Sequence, residues 1–180
     1  MTSIVGLNST YKTWLAGDSA ATDDDSIEIR SESKVWQAGD WVFGSCPSFR
    51  LIQVLKFKLD TNSFLPDPAD TLVEDIVNEF IPALRNIIVD TAVDTEDGWA
   101  ILLGGSGKLW HIQDDYSVSQ VVRYTAIGSG SPYALGVLHY VYEGQASEIT
   151  MSPYVIVRAA SRAAGAYCTS VSPPYTVVKA

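Results

Sequence analysis

The chain has 180 residues, 47% apolar and 18% charged, with a formal charge of −9. It is long enough to bury a core without cross-links, and its composition is ordinary for a globular protein. The negative charge argues against a surface for nucleic-acid phosphates or an anionic membrane, and no apolar run reaches the roughly 18 residues that a bilayer crossing needs.

Residues 2–10, with Ile4, Val5 and Leu7, and residues 12–18, with Trp14, Leu15 and Ala16, read as antiparallel strands around a turn at Asn8-Ser9-Thr10. Asp23-Asp24-Asp25 reads as a solvated turn. Residues 32–36 form an extended segment around Lys34, and residues 40–46 a strand ending at Pro47-Ser48. Ser48 suits the N-cap of a helix carrying Leu51, Ile52, Leu55 and Leu59 on one face. After a linker over 60–68, the fourfold spacing of Leu72, Ile76, Phe80 and Leu84 predicts a second helix, which Pro82 should kink or end early.

Residues 99–104 and 108–112 read as a hairpin around Gly105-Ser106-Gly107, followed by one long strand over 117–127. Prolines in the first turn open helices over about 132–142 and 153–167, the latter with Val155, Ile156, Ala159, Ala160 and Ala163 facing one way. Residues 176–178 close the chain as a last strand. Strands, two helices, strands, two helices and a strand, with no repeat or linker between them, indicate one α+β domain over 1–180.

Chemistry concentrates at the start. If an aminopeptidase removes Met1, Thr2 carries a free α-amine beside its own hydroxyl. An α-amine titrates at about 7.7–8.0, near enough to neutrality to serve as a general base, so nucleophile and base share one residue. Asp18 follows sixteen residues on (18 minus 2), and Lys34 sixteen further (34 minus 18). An ammonium at Lys34 would favour the neutral, proton-accepting amine, and Asp18 would hold that lysine charged and oriented. Two strands of the stated length bring Asp18 back beside Thr2.

Other candidates are weaker. Gly128-Ser129-Gly130-Ser131 lacks the third glycine of a dinucleotide fingerprint and the Gly-Lys-Ser/Thr of a nucleotide loop. His111 and His139 have no partner at metal-ligand spacing. Trp36, Trp41, Trp99 and Trp110 read as sheet-packing residues. Cys46 and Cys168 are too few and too far apart for a disulfide framework, which fits a reduced, cytoplasmic compartment. Cys46 reads as a small buried hydrophobe.

Thr2-Ser3-Ile4-Val5-Gly6, Ala16-Gly17-Asp18 through Ala21-Thr22, Lys34-Val35, Thr125-Ala126-Ile127-Gly128-Ser129-Gly130 and Ala164-Gly165-Ala166-Tyr167-Cys168 occur in order over nearly the whole chain. Together they resemble the N-terminal nucleophile hydrolases of the proteasome β-subunit and HslV class. The resemblance implies a four-layer αββα sandwich and a threonine endopeptidase acting on unfolded polypeptide. Thr2, Asp18, Lys34 and Ser129 would form the catalytic set, Ser129 ordering the terminal amine. It places an oxyanion-binding amide at Ser48, whose side chain should crowd the hole, a specificity-pocket position at Cys46, and a substrate-pairing backbone at Thr22.

The resemblance further implies a homo-oligomeric ring or related assembly, fed by an AAA+ unfoldase, and no required cofactor. It allows a monovalent cation such as Na+ on the backbone carbonyls of Gly165, Cys168 and Val171. Where the family carries an aspartate near the end, with a serine three residues on, this chain has Ala166 and Thr169. Thr169 would keep a supporting hydroxyl, while the missing carboxylate leaves a catalytically inactive structural subunit as an alternative. An amidase acting on a small amide is a further one.

Overall fold

The computed structural model describes residues 2–23, 26–93, 96, 98–144 and 151–180; Met1, Asp24 and Asp25 lie outside them. In chain order the strands are β1 (Ile4–Ser9), β2 (Lys12–Asp18), β3 (Ala20–Asp23), β4 (Ser26–Ile29), β5 (Val35–Ala38) and β6 (Trp41–Cys46). Helices α1 (Phe49–Lys58), α2 (Thr61–Phe64), α3 (Val73–Asp75) and α4 (Ile81–Asp90) follow, with a π-helical turn (Ile76–Phe80) between the last two. Strands β7 (Ala100–Gly105), β8 (Lys108–Gln113), β9 (Val118–Val121) and β10 (Tyr124–Ile127) lead to α5 (Ser131–Glu143), α6 (Pro153–Tyr167) and β11 (Tyr175–Lys179).

One antiparallel sheet runs β10-β1-β2-β11, another β5-β6-β7-β8-β9, and β3 and β4 form a separate hairpin. Alternation along β1 shows how the sheets stack. Ile4 faces inward with Leu15, Val42, Leu102 and Leu109, whereas Val5 and Leu7 face Leu138, Ile156 and Ala160 of α5 and α6. Across the other sheet, Phe43, Ile101 and Leu103 meet Leu51 and Leu55 of α1, Phe80 of the π turn and Leu84 of α4. Three apolar layers therefore separate four structural layers, giving the αββα sandwich. Each fully buried Leu, Ile or Phe adds about 1.5–3 kcal/mol of burial free energy before its ordering entropy is counted.

Most expected elements are present, with several differences: the 60–68 linker holds α2, and Asn8 and Ser9, expected in the first turn, lie in β1, leaving the turn at Thr10 and Tyr11. The 117–127 segment is two strands in different sheets, because the chain turns a corner at Val122, which is 94% exposed, and Arg123. The second helix begins at Val73 and passes through the π turn into α4, so Pro82 does not end it; the π turn just before Pro82 shifts the hydrogen-bond pattern where its N–H is missing. Leu72, expected on its apolar face, is exposed. On α6 the buried face is Ile156, Val157, Ala160, Ser161 and Ala164, while Val155 and Ala159 are exposed. The β3–β4 hairpin lacked an apolar pattern to reveal it, Ile27 and Ile29 being exposed.

Candidate active site

The β1–β2 register sets the first half of the site. Ile4 pairs with Gly17 and Val5 with Ala16, so the chain just before β1 lies against Asp18 at the end of β2. Ser3 N–H donates to Asp18 Oδ1 at 3.0 Å. Ala20 N–H donates to Asp18 Oδ2 at 3.1 Å, and Lys34 Nζ donates to the same oxygen at 2.9 Å and to the Ala20 carbonyl. Asp18 and Lys34 are both fully buried. Burial foremost lowers the Lys34 pKa below the usual lysine range, with the charge and hydrogen bond of Asp18 opposing.

The second half comes from the segment after β10 and the loop after α6. Thr2 N donates to Ser129 Oγ at 3.2 Å, and Ser129 Oγ can donate in turn to the Thr2 carbonyl at 3.3 Å. Ser170 Oγ lies 3.1 Å from Ser129 Oγ and 3.2 Å from Cys168 Sγ. Gly128 has φ of +88°, and a Cβ there would overlap the Thr2 carbonyl, so the close approach of the two segments requires glycine. Thr2 is fully buried, and among the described residues its Oγ1 has no hydrogen-bond partner.

Thr2, Cys46, Pro47, Gly128 and Ser129 line a cavity of about 330 Å³ that extends to Gly98, Trp99, Ala100 and Asp114. Burial pushes the Cys46 thiol up to about 11, leaving it neutral at ordinary pH. Ser48 is the N-cap of α1, and its Oγ accepts from Leu51 N–H at 3.3 Å. The side chain expected to crowd the oxyanion position is thus turned into the helix cap. Thr22 lies on β3, paired with Ile27 of β4.

Thr169, expected to place a hydroxyl beside Ser129, is exposed, and the hydroxyl that meets Ser129 is that of the buried Ser170, one step further along the chain. Ala166 is exposed. At the cation candidate, Val171 N–H donates to the Cys168 carbonyl at 3.0 Å, and the Val171 carbonyl lies 3.3 Å from where a side chain on Gly165 would begin.

No family model and no curated protein matches the chain. Solved structures do. BPH from Thiobacillus denitrificans superposes with a TM-score of 0.76 at 18% identity, over 99% of this chain and 97% of that one. Eukaryotic HslV from Trypanosoma brucei gives 0.70 at 17% identity, over 98% of each chain. Anbu, an ancestral beta-subunit from Yersinia bercovieri, gives 0.72 at 17%, over 98% of this chain and 80% of that one. The fold is that of the proteasome-like N-terminal nucleophile hydrolases.

Proposed function

We propose that the chain is a threonine-type peptidase subunit that hydrolyses peptide bonds of unfolded polypeptide, with Thr2 as nucleophile once Met1 is removed. The observation that carries this reading is the Thr2 hydroxyl, buried without a partner at the wall of a cavity while the Thr2 nitrogen is held by Ser129. Among the described residues the Ser3 and Ser45 hydroxyls are also buried without a partner, but of the three only that of Thr2 belongs to a residue lining this cavity, where a substrate carbonyl could meet it.

The freed Thr2 amine takes the proton of Oγ1 as the oxygen attacks the scissile carbonyl. The tetrahedral intermediate collapses to an acyl ester on Thr2, the amine product leaves with a proton, and water hydrolyses the ester by the reverse path. Lys34, fixed by Asp18, keeps the amine neutral by like-charge repulsion. Ser129 orients that amine, and Ser170 orients Ser129. Backbone amides around Ser48, Pro47 having no N–H to offer, stabilise the oxyanion. The edge of β3 not paired with β4, at Thr22, suits an extended peptide adding as a strand. Na+ held by the carbonyls of Gly165, Cys168 and Val171 would stiffen the loop that carries Ser170, and no step passes through it.

Assembly into a homo-oligomer fits the outer helical layer, where Tyr133, Tyr140 and Tyr167 border an apolar cleft of about 410 Å³. An AAA+ unfoldase would supply substrate in the cytoplasm; no helix among the described residues is long and apolar enough to cross a membrane. Ala166, which leaves its position without a carboxylate, favours an inactive structural subunit as the second reading.

Intact-protein mass spectrometry with an epoxyketone separates the two. One relative, the Thiobacillus denitrificans BPH, has been solved in complex with epoxomicin. A mass lacking Met1 that gains one adduct, with none in Thr2→Ala, is the expected result. A retained Met1 without an adduct would favour the structural subunit.

A further inference from the structure

The cavity beside Thr2 has an uneven lining. Trp99, Pro47 and Ala100 give it apolar walls, and Cys46 is neutral there. Asp114, on the turn after β8, is the one charged side chain among the described lining residues. Its neighbour Asp115 is engaged by its own turn, accepting from Ser117 N–H at 2.9 Å, and the Ser117 side chain and backbone hold the Asp115 carboxyl below the usual carboxylate range. The Asp114 carboxylate has no hydrogen bond or ion pair to a described residue.

Gly98 shows why that carboxylate can sit there. Its φ is +70°, and a Cβ on it would come within 2.8 Å of Asp114 Oδ2. The carboxylate packs against bare backbone at the cavity wall, a place any side chain at position 98 would contest. A largely apolar pocket with an exposed, uncommitted carboxylate at its rim matches a long aliphatic stem that ends in a cation.

Resting on the peptidase reading, we infer that this cavity takes a lysine or arginine side chain of the substrate polypeptide next to the scissile bond, with Asp114 as the residue that selects it. The aliphatic stem lies along Trp99 and Pro47, and the ammonium or guanidinium reaches Asp114. Arginine gains more than lysine, because its planar fork can bond both carboxylate oxygens. The formal charge of −9 also favours encounter with basic segments.

The test is cleavage of a reduced, alkylated protein by the Met1-processed enzyme, with the cut sites mapped by mass spectrometry, beside paired arginine and leucine peptides. Lys and Arg should be enriched at one fixed position flanking the cut. Asp114→Asn should lower the ratio of kcat/KM for the arginine peptide to that for the leucine peptide about tenfold, the scale of one charge-assisted hydrogen bond. Asp114→Lys should move the enrichment to Asp and Glu. An enzyme that takes the epoxyketone at Thr2 yet cuts without basic enrichment, or keeps it in Asp114→Asn, overturns the subsite alone. An enzyme that shows no adduct and no cleavage overturns the peptidase reading, and the subsite with it.

Discussion

Thr2 stands between two unlike neighbourhoods. On one side Asp18 and Lys34 form a fully buried ion pair, and the carboxylate accepts from Ser3, Ala20 and Lys34. On the other, Ser129, Ser170 and the half-buried Cys168 form a neutral chain of hydroxyls and a thiol. The charged side fixes a field, which needs a dry setting and fully bonded partners. The neutral side can reorient a proton at little cost, since a hydroxyl is donor and acceptor at once. In the proposed mechanism, a nucleophile that must be deprotonated and then reprotonated uses both.

The largest expected effect breaks the charged side. Asp18→Ala leaves the Lys34 ammonium in the interior without its carboxylate and should cost about 3–5 kcal/mol, read from the denaturant midpoint. Lys34→Met should cost less, because Asp18 keeps its two backbone donors. If Asp18→Ala cost under about 1 kcal/mol, the contrast between the two sides would collapse.

A smaller effect belongs to the neutral side. Ser129→Ala and Ser170→Ala should each cost about 1 kcal/mol and slow epoxyketone adduct formation about fivefold to tenfold, whereas Thr169→Ala should change neither. Equal slowing by Thr169→Ala would return the supporting role to that residue.

The smallest effect sharpens the comparison without altering the fold. Burial acts to raise the Cys168 pKa, but hydrogen bonds from the Ser170 and Ser129 side chains and the Ser170 backbone outweigh it, so the net shift is downward. The thiolate is the reactive form, so a lowered pKa moves alkylation to lower pH and a raised one suppresses it. Cys168 should therefore react with iodoacetamide at a lower pH than an ordinary thiol, and buried Cys46 should stay unreacted until the protein unfolds. Peptide mapping against pH reads both.

The charged side was the more legible in the sequence, for a physical reason. Strand pairing has a fixed period, so the distance from Thr2 round a tight turn to Asp18 already implies their meeting. The neutral side depends on a loop, where neither period nor propensity says which of Thr169 and Ser170 turns inward. The same limit hid the corner at Val122 and Arg123, since both sheets there ask for the same residue types. It also hid the π turn, whose apolar spacing looks helical in either geometry. Where a local signal had its own mechanism the expectation held, as with the Ser48 cap and the Pro153 opening of α6.

The corner at 122–123 links β9 and β10, each at an edge of its own sheet. Asn8 fastens it twice, its N–H donating to the Arg123 carbonyl at 2.7 Å and its Nδ2 to that of Val121 at 3.0 Å. Asn8 lies on the strand that follows Thr2, and Ser129 lies just past β10. The corner that joins the sheets is thus buttoned to the segments carrying both Thr2 and Ser129, so a single asparagine, through its backbone and its side chain, ties the site to the architecture.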